Sequence, residues 1–98
     1  LKVGDLELDV SKRLVKRADK EINLSTKEFD LLEYMMRNSE IILSREKIEN
    51  YIWSYDYEGG TNLIDVYISY LRKKIDDGYE EKMIKTVRGV GYVLRAKA

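Results

Sequence analysis

The spacing of apolar residues changes twice along this chain, and that order limits the folds open to it. Near the N-terminus, Leu6, Leu8 and Val10 alternate with acidic residues, the two-residue period of a strand with one buried face. From residue 25 to residue 77, apolar residues recur every third or fourth position, as on helices. After Gly78, two short apolar runs flank a glycine-rich turn, as in a β-hairpin. The sequence therefore predicts a small sheet, three helices and a hairpin, in that order.

Residues 2–23 are predicted to form a small antiparallel sheet of short strands. Besides the alternating run, Leu14-Val15 and Ile22–Leu24 are predicted strands. The polar segment Arg17–Lys20 is the predicted turn between them.

The first two helices have clear start signals. Ser25 followed by Glu28 forms a capping box, which predicts a helix from there to about Asn38. Ser44 is a second N-cap candidate, and the helix after it is predicted to span Arg45–Trp53.

The third helix is predicted to begin at a cap formed by Thr61 or Asn62 and to end near Asp77, before Gly78. With about 100° of rotation per residue, one narrow stripe must be buried: Ile64, Ile68, Leu71 and Ile75. The opposite side holds Asn62, Val66, Ser69, Tyr70 and Lys73. Tyr67, Arg72 and Lys74 lie on the flanks.

This outward side carries chemical groups suited to base edges and phosphates. Asn62 fits adenine, Val66 fits a thymine methyl, and Ser69 fits either kind of partner. Arg72 and Lys73 suit phosphates or guanine. An ordinary solvated helix face explains the same pattern equally well, and partial burial of Tyr67 in the core is an alternative to a base contact.

The run Thr86-Val87-Arg88-Gly89-Val90-Gly91-Tyr92 is the most distinctive in the chain. We expect both glycines to permit positive φ at a tight tip. Arg88 would then point away from the core, toward the negative potential of a narrow minor groove. Thr86 would add a phosphate contact. A simple solvated hairpin remains the alternative.

Composition argues against catalysis and against a resident metal or cofactor. The chain lacks cysteine and histidine, the usual nucleophile, base and metal ligands. The acidic pairs Asp76-Asp77 and Glu80-Glu81 are expected to be solvated, because acid–base pairs need contrasting environments. No apolar run is long enough to span a bilayer, and a cytoplasmic location is expected.

Charge is distributed unevenly although the 98 residues sum to zero. Residues 1–60 carry 10 basic and 13 acidic side chains, a net of −3, whereas residues 61–98 carry 8 and 5, a net of +3. A polyanion would therefore meet the C-terminal third. The length predicts a single domain over residues 1–98, and a start at Leu1 without Met suggests a piece of a longer protein.

Trp53 and the loop after it allow two interpretations each. Trp53 fits core packing or an interface anchor. The acidic and aromatic segment Ser54-Tyr55-Asp56-Tyr57-Glu58 fits a protein contact or local cover of the core. The sequence leaves both pairs open.

Three runs together resemble the winged helix-turn-helix effector domain of OmpR/PhoB-type response regulators, over essentially the whole chain. They are residues 24–32 (LSTKEFDLL), residues 62–75 (NLIDVYISYLRKKI) and residues 86–92 (TVRGVGY). The resemblance implies an α+β fold with an N-terminal antiparallel four-stranded sheet, three helices and a C-terminal β-hairpin wing. It also implies sequence-specific binding of double-stranded DNA and transcription regulation as the output of a two-component system.

The same resemblance implies partners and sites. It implies an upstream receiver domain phosphorylated by a sensor histidine kinase, dimerisation on activation, and binding to tandem half-sites. DNA contacts are implied at Asn62, Val66, Tyr67, Ser69, Tyr70, Arg72 and Lys73 of the recognition helix, at Thr86 and Arg88 of the wing, and at Trp53 on the backbone. Contacts with RNA polymerase are implied at Ser54, Tyr55, Asp56, Tyr57, Glu58, Gly59, Gly60 and Thr61.

One departure from the family pattern bears on affinity. Basic residues or histidine often stand where this chain has Asn62, Tyr67, Ser69 and Tyr70. This predicts feeble DNA binding by the isolated domain and leaves guanine readout open. A winged helix that contacts only proteins is the rival function, favoured by the neutral charge. A small enzyme is a third, which the missing His and Cys oppose.

Overall fold

The computed structural model describes residues 1–52 and 62–96, apart from the side chain of Asn62. The strands are β1 (Lys2–Val3), β2 (Leu6–Asp9), β3 (Leu14–Arg17), β4 (Lys20–Ile22), β5 (Leu43–Ser44), β6 (Ile84–Val87) and β7 (Gly91–Leu94). The helices are α1 (Thr26–Arg37), α2 (Arg45–Ile52) and α3 (Asn62–Leu71), the last continued by a π-helical turn, Arg72–Asp76. The predicted α+β order of sheet, three helices and hairpin is confirmed.

The N-terminal sheet has the strand order β1-β2-β3-β4, with antiparallel pairing throughout. Leu6, Leu8 and Val15 are buried on its inner face. The turn between β3 and β4 is shorter than predicted, because Arg17 pairs directly with Lys20. The two residues between them both adopt positive φ, as tight hairpins require. This short turn moves β4 two residues earlier than the predicted strand.

The N-caps predicted for the first two helices are present, and the side chains of the cap predicted at Thr61 or Asn62 lie outside the described residues. The Glu28 amide donates to Ser25 Oγ over 3.2 Å, and the Ser25 amide donates to Glu28 Oε1 over 2.9 Å. The Lys47 amide donates to Ser44 Oγ over 3.1 Å at the start of α2. These bonds satisfy amides that helix starts otherwise leave unpaired.

The inward stripe of α3 lies as the helical period predicts: Ile64, Ile68, Leu71 and Ile75 are fully buried. The end of this segment differs from the predicted regular helix. The Asp77 amide bonds to the carbonyl of Arg72, five residues back, so the last turn is wider than an α-helical turn. The wider turn accompanies the burial of two consecutive residues, Ile75 and Asp76.

Asp76 and Arg17 form a buried ion pair that corrects two expectations. Asp76 was expected in solvent and Arg17 in a polar turn, yet they are only 3% and 1% exposed. Arg17 Nη1 lies 2.9 Å from Asp76 Oδ1, and Asp76 also accepts the amides of Met83 and Ile84. A buried ion pair is stable only when its remaining donors and acceptors are also hydrogen-bonded. Here the neighbouring amides and carbonyls supply those hydrogen bonds. The pair links β3, the end of the α3 segment and the start of β6.

The C-terminal hairpin is not isolated, because β5 pairs with it in the order β5-β7-β6. Gly91 lies opposite Ser44, and a Cβ at Gly91 would come within 2.0 Å of the Leu43 carbonyl oxygen. Only glycine permits this approach. The hairpin is thereby fixed to the segment that leads into α2.

Candidate nucleic-acid interface

The outward side of α3 is uncovered by the described parts of the chain. Val66 is 39% exposed and Tyr70 is 45% exposed, and Ser69 and Lys73 are also exposed. These four are residues that the helical period placed outward. The structure therefore brings most of the predicted recognition residues onto one open surface.

Tyr67 lies at the edge of that surface and is half-buried against the core, as the alternative for this residue anticipated. Its ring meets Tyr70 edge-on, with 5.7 Å between ring centroids. Such an arrangement is favourable for two aromatic rings. Tyr67 thus restricts the orientation of the exposed Tyr70 ring.

Asp65, the acidic residue of α3, is held by two neighbouring elements. Arg45 Nε at the start of α2 donates to Asp65 Oδ1 over 2.9 Å, and the Tyr92 hydroxyl of β7 donates to the same oxygen. Asp65 in turn raises the pKa of Arg45, and burial together with Asp65 raises the pKa of Tyr92. Near neutral pH the Arg45 guanidinium is therefore a cation that partly offsets the Asp65 charge, and the Tyr92 phenol is a neutral hydrogen-bond donor to it.

Arg72 joins the end of the helix to the hairpin. Its Nη2 donates to Thr86 Oγ1 over 2.6 Å and to the Ile84 carbonyl over 3.2 Å. Its guanidinium also lies 5.6 Å from the centre of the Tyr92 ring. Two predicted site residues, Arg72 and Thr86, are therefore in direct contact with each other.

The two lysines that follow Arg72 differ in their surroundings. Lys74 Nζ lies 2.6 Å from Glu28 Oε1, which connects the segment back to the capping box of α1. Burial opposes ionisation of Glu28, but its contacts with Lys74 and Ser25 outweigh this and lower its pKa. Lys73 is exposed on the outward side.

The hairpin tip carries Arg88 and Val90, both exposed. Gly89 adopts φ +75°, as predicted for a tight tip. Gly91 does not have positive φ, which corrects the expectation for the second glycine; its role is the close backbone approach to Leu43. The glycine pair thus serves two different needs.

Several predicted site residues lie outside the described residues. These are Trp53, Ser54, Tyr55, Asp56, Tyr57, Glu58, Gly59, Gly60 and Thr61, together with the side chain of Asn62. Their roles stay predictions.

The cluster of Arg45, Asp65 and Tyr92, which joins α2, α3 and β7, was not predicted from the sequence. One signal was available: Asp65 follows the buried Ile64 and so falls on a flank of the helix. Its partners lie 20 and 27 residues away, and no local pattern identifies them.

Two properties of the described residues bear on other functions. No group of three or more His, Cys, Asp or Glu residues within them is arranged to hold a metal ion. None of their helices is both long enough and apolar enough to cross a membrane.

Comparison with known proteins gives a consistent result. Residues 19–94 match the family model described as "Transcriptional regulatory protein, C terminal". The transcriptional regulatory protein TrcR of Mycobacterium tuberculosis is 54% identical over 95 residues, which cover 97% of this chain and 37% of that protein. The chain spans about two fifths of the length of the first curated relatives it matches.

Solved structures agree with the sequence matches. The DNA-binding domain of Klebsiella pneumoniae RstA, solved in complex with the RstA box, is 33% identical with a TM-score of 0.85, covering 97% of this chain and 95% of that one. The response regulator DrrB of Thermotoga maritima, an OmpR/PhoB homologue, is 31% identical with a TM-score of 0.86, covering 98% of this chain and 44% of that one.

Proposed function

Because the chain belongs to the family of C-terminal domains of OmpR/PhoB-type transcriptional regulatory proteins, we propose that its open α3 face binds duplex DNA and regulates transcription. In this proposal α3 lies in the major groove and the β6–β7 hairpin lies against the adjacent backbone or minor groove. The observation that carries it is the exposed side of α3, with Val66, Ser69, Tyr70 and Lys73 uncovered.

The residues of this surface divide into two roles. Base contacts are assigned to Val66, Ser69 and Tyr70 on the exposed side of α3 and to Tyr67 at its edge. Asn62 is assigned the same role from the sequence, since its side chain lies outside the described residues. Phosphate and groove contacts fall to Arg72, Lys73, Thr86, Arg88 and Trp53. Phosphate contacts fix orientation, and base contacts give sequence preference.

The Arg72–Thr86 bond supports this division. A threonine hydroxyl that accepts from Arg72 still has its own hydrogen to donate. Thr86 is therefore able to hold Arg72 and to donate to a phosphate oxygen at the same time.

The relatives are longer than this chain, and we extend the proposal to a full-length regulator accordingly. An upstream receiver domain, phosphorylated by a sensor histidine kinase, would bring two such domains together on tandem half-sites. The second contact then becomes intramolecular and offsets a weak single domain. The segment 54–61 would contact RNA polymerase, and the protein would act in the cytoplasm as a binding protein rather than an enzyme.

A titration with duplex DNA tests the proposal. We expect Lys73→Ala and Arg88→Ala each to weaken binding by severalfold and to lower the slope of log affinity against log salt by about 1, the value for one lost phosphate contact. Lys20→Ala, at an exposed position on the N-terminal sheet, is the matched control and should change neither.

Three outcomes would contradict parts of the proposal. Absence of duplex binding by the unaltered chain at low salt would favour the rival, a winged helix that contacts only proteins. Equal effects of Lys20→Ala and Lys73→Ala would place the DNA elsewhere. Sub-nanomolar binding by the single domain would contradict the expected weak affinity.

A further inference from the structure

The base-facing part of α3 is chemically unusual for a guanine-contacting helix. We infer that it recognises base pairs chiefly through thymine methyl groups, so that the bases beneath α3 in the target are A·T pairs. This inference rests on the proposed function and specifies the class of DNA that the same surface prefers.

The α3 segment Asn62–Leu71 carries no positive charge. Residues 62–71 contain no lysine or arginine. Bidentate contacts from Arg or Lys to guanine are the commonest specific base contacts in the major groove. The N-terminal part of a recognition helix is the part that reaches base edges. That part of this helix therefore lacks the side chains that select guanine most strongly.

The cations that follow α3 are tied to neighbouring elements. Arg72 Nη2 donates to Thr86 and to the Ile84 carbonyl, and Lys74 is paired with Glu28. Arg72 is thereby directed toward the hairpin, where a phosphate contact fits better than a guanine contact, and Lys74 is directed toward α1. Lys73 remains exposed, but it lies in the π-helical turn at the far end of the segment, where a phosphate contact fits better than a base contact.

The open surface offers an apolar pair instead. Val66 and Tyr70 are one helical turn apart and are 39% and 45% exposed. Single exposed apolar residues are ordinary on protein surfaces, but these two neighbours lie on the part of the outward side that precedes Lys73, and together they form an apolar strip. The thymine 5-methyl is the apolar group that the major groove presents, and burying it against Val66 removes both from water.

Tyr67 limits the orientation of one member of this strip. Its ring is packed against the core and meets the Tyr70 ring edge-on, which restricts the Tyr70 side chain. A side chain already restricted before binding loses less entropy when it binds. The strip is therefore partly preorganised for contact with a thymine methyl group.

The test uses this chain and duplexes enriched from a random pool at low salt. Each thymine of the enriched site is replaced in turn by uracil, which removes only the 5-methyl group. We expect one or two replacements to weaken binding by about three- to fivefold, the size expected for one lost methyl contact. Replacing guanines by 7-deazaguanine, which removes the N7 acceptor, should change affinity less than twofold.

Substitutions then connect the effect to a residue. Val66→Ala should abolish the difference between thymine and uracil at those positions. Val90→Ala is the matched control, since Val90 is 54% exposed but lies at the hairpin tip, away from the major-groove methyls. It should leave the difference between thymine and uracil unchanged.

The outcomes separate this inference from the function it rests on. Specific binding that is insensitive to uracil at every position, or that depends on guanine N7, overturns the inference and leaves DNA binding intact. A difference between thymine and uracil that survives Val66→Ala also overturns it. Absence of duplex binding overturns the proposed function and the inference together.

Discussion

Arg72 Nη2 donates to Thr86 Oγ1 over 2.6 Å and thereby joins the end of the third helix to the first strand of the hairpin. The two residues are 14 positions apart, and both belong to the surface proposed to contact DNA. The bond fixes the hairpin relative to the helix before any ligand is present. Preorganisation of this kind lowers the entropy lost on binding.

Removing the Thr86 hydroxyl should therefore weaken DNA binding without selecting among sequences. We expect Thr86→Val to lower affinity severalfold on both an enriched site and a scrambled duplex, because it affects positioning and phosphate contact but no base contact. Thr86→Ser keeps the hydroxyl and should stay within twofold of the original chain. Fluorescence anisotropy titrations measure all three, and a loss confined to the enriched site would contradict this explanation.

Arg17 should be among the most sensitive residues for stability. It is 1% exposed and donates to Asp5, Asp76 and the carbonyls of Ile75 and Glu81. Lysine cannot reproduce this planar set of donors. We expect Arg17→Lys to lower the free energy of unfolding by about 2 kcal/mol, because a single ammonium leaves buried acceptors of this network unpaired.

Arg13→Lys is the matched control, because Arg13 is exposed and its ion pair with Asp30 is long, at 3.4 Å. It should change the free energy of unfolding by less than about 0.5 kcal/mol. Urea denaturation measures both variants. Equal effects would show that the buried network contributes no more than a surface pair.

The order of elements was predictable because it depends on local patterns. The buried stripe from Ile64 to Ile75 follows from helical spacing, and the capping box of Ser25 and Glu28 follows from two residue types three positions apart. Such signals are contained in short windows of sequence. Membership of the family could also be predicted, since its motifs are likewise local runs.

The buried polar contacts were not predictable for the opposite reason. Arg17 and Asp76 are separated by 59 positions, and each is a typical surface residue when considered alone. One weak signal existed: Arg17 is two positions after the buried Val15 and so points to the same side of its strand. The partner that makes burial possible becomes visible only in three dimensions.

Gly91 should tolerate no side chain, for a reason different from that at Gly89. A Cβ at Gly91 would lie 2.0 Å from the Leu43 carbonyl oxygen, so β5 and β7 would have to separate. We expect Gly91→Ala to cost about 3 kcal/mol of folding free energy, the upper range for forced overpacking. Gly89→Ala meets no atom within 4 Å and should cost only about 1 kcal/mol, from its positive φ. Thermal unfolding ranks the two, and a larger loss at Gly89 would contradict the packing argument.

Glu28 should make the domain less stable in acid. Contacts with Lys74 and Ser25 outweigh burial and lower its pKa below the ordinary 4.5. A lowered folded pKa gives stability that is present above the unfolded value and is lost as pH falls through the folded value. Glu28→Gln keeps an acceptor for the Ser25 amide but removes the charge. We expect it to be about 1 kcal/mol less stable than the original chain at pH 7, the difference between a charged and a neutral hydrogen bond, and the difference to shrink as pH falls below 4.5. Denaturant titrations across that range check this, with exposed Glu46→Gln as control; a difference that does not change with pH would show that the Glu28 charge is not its cause.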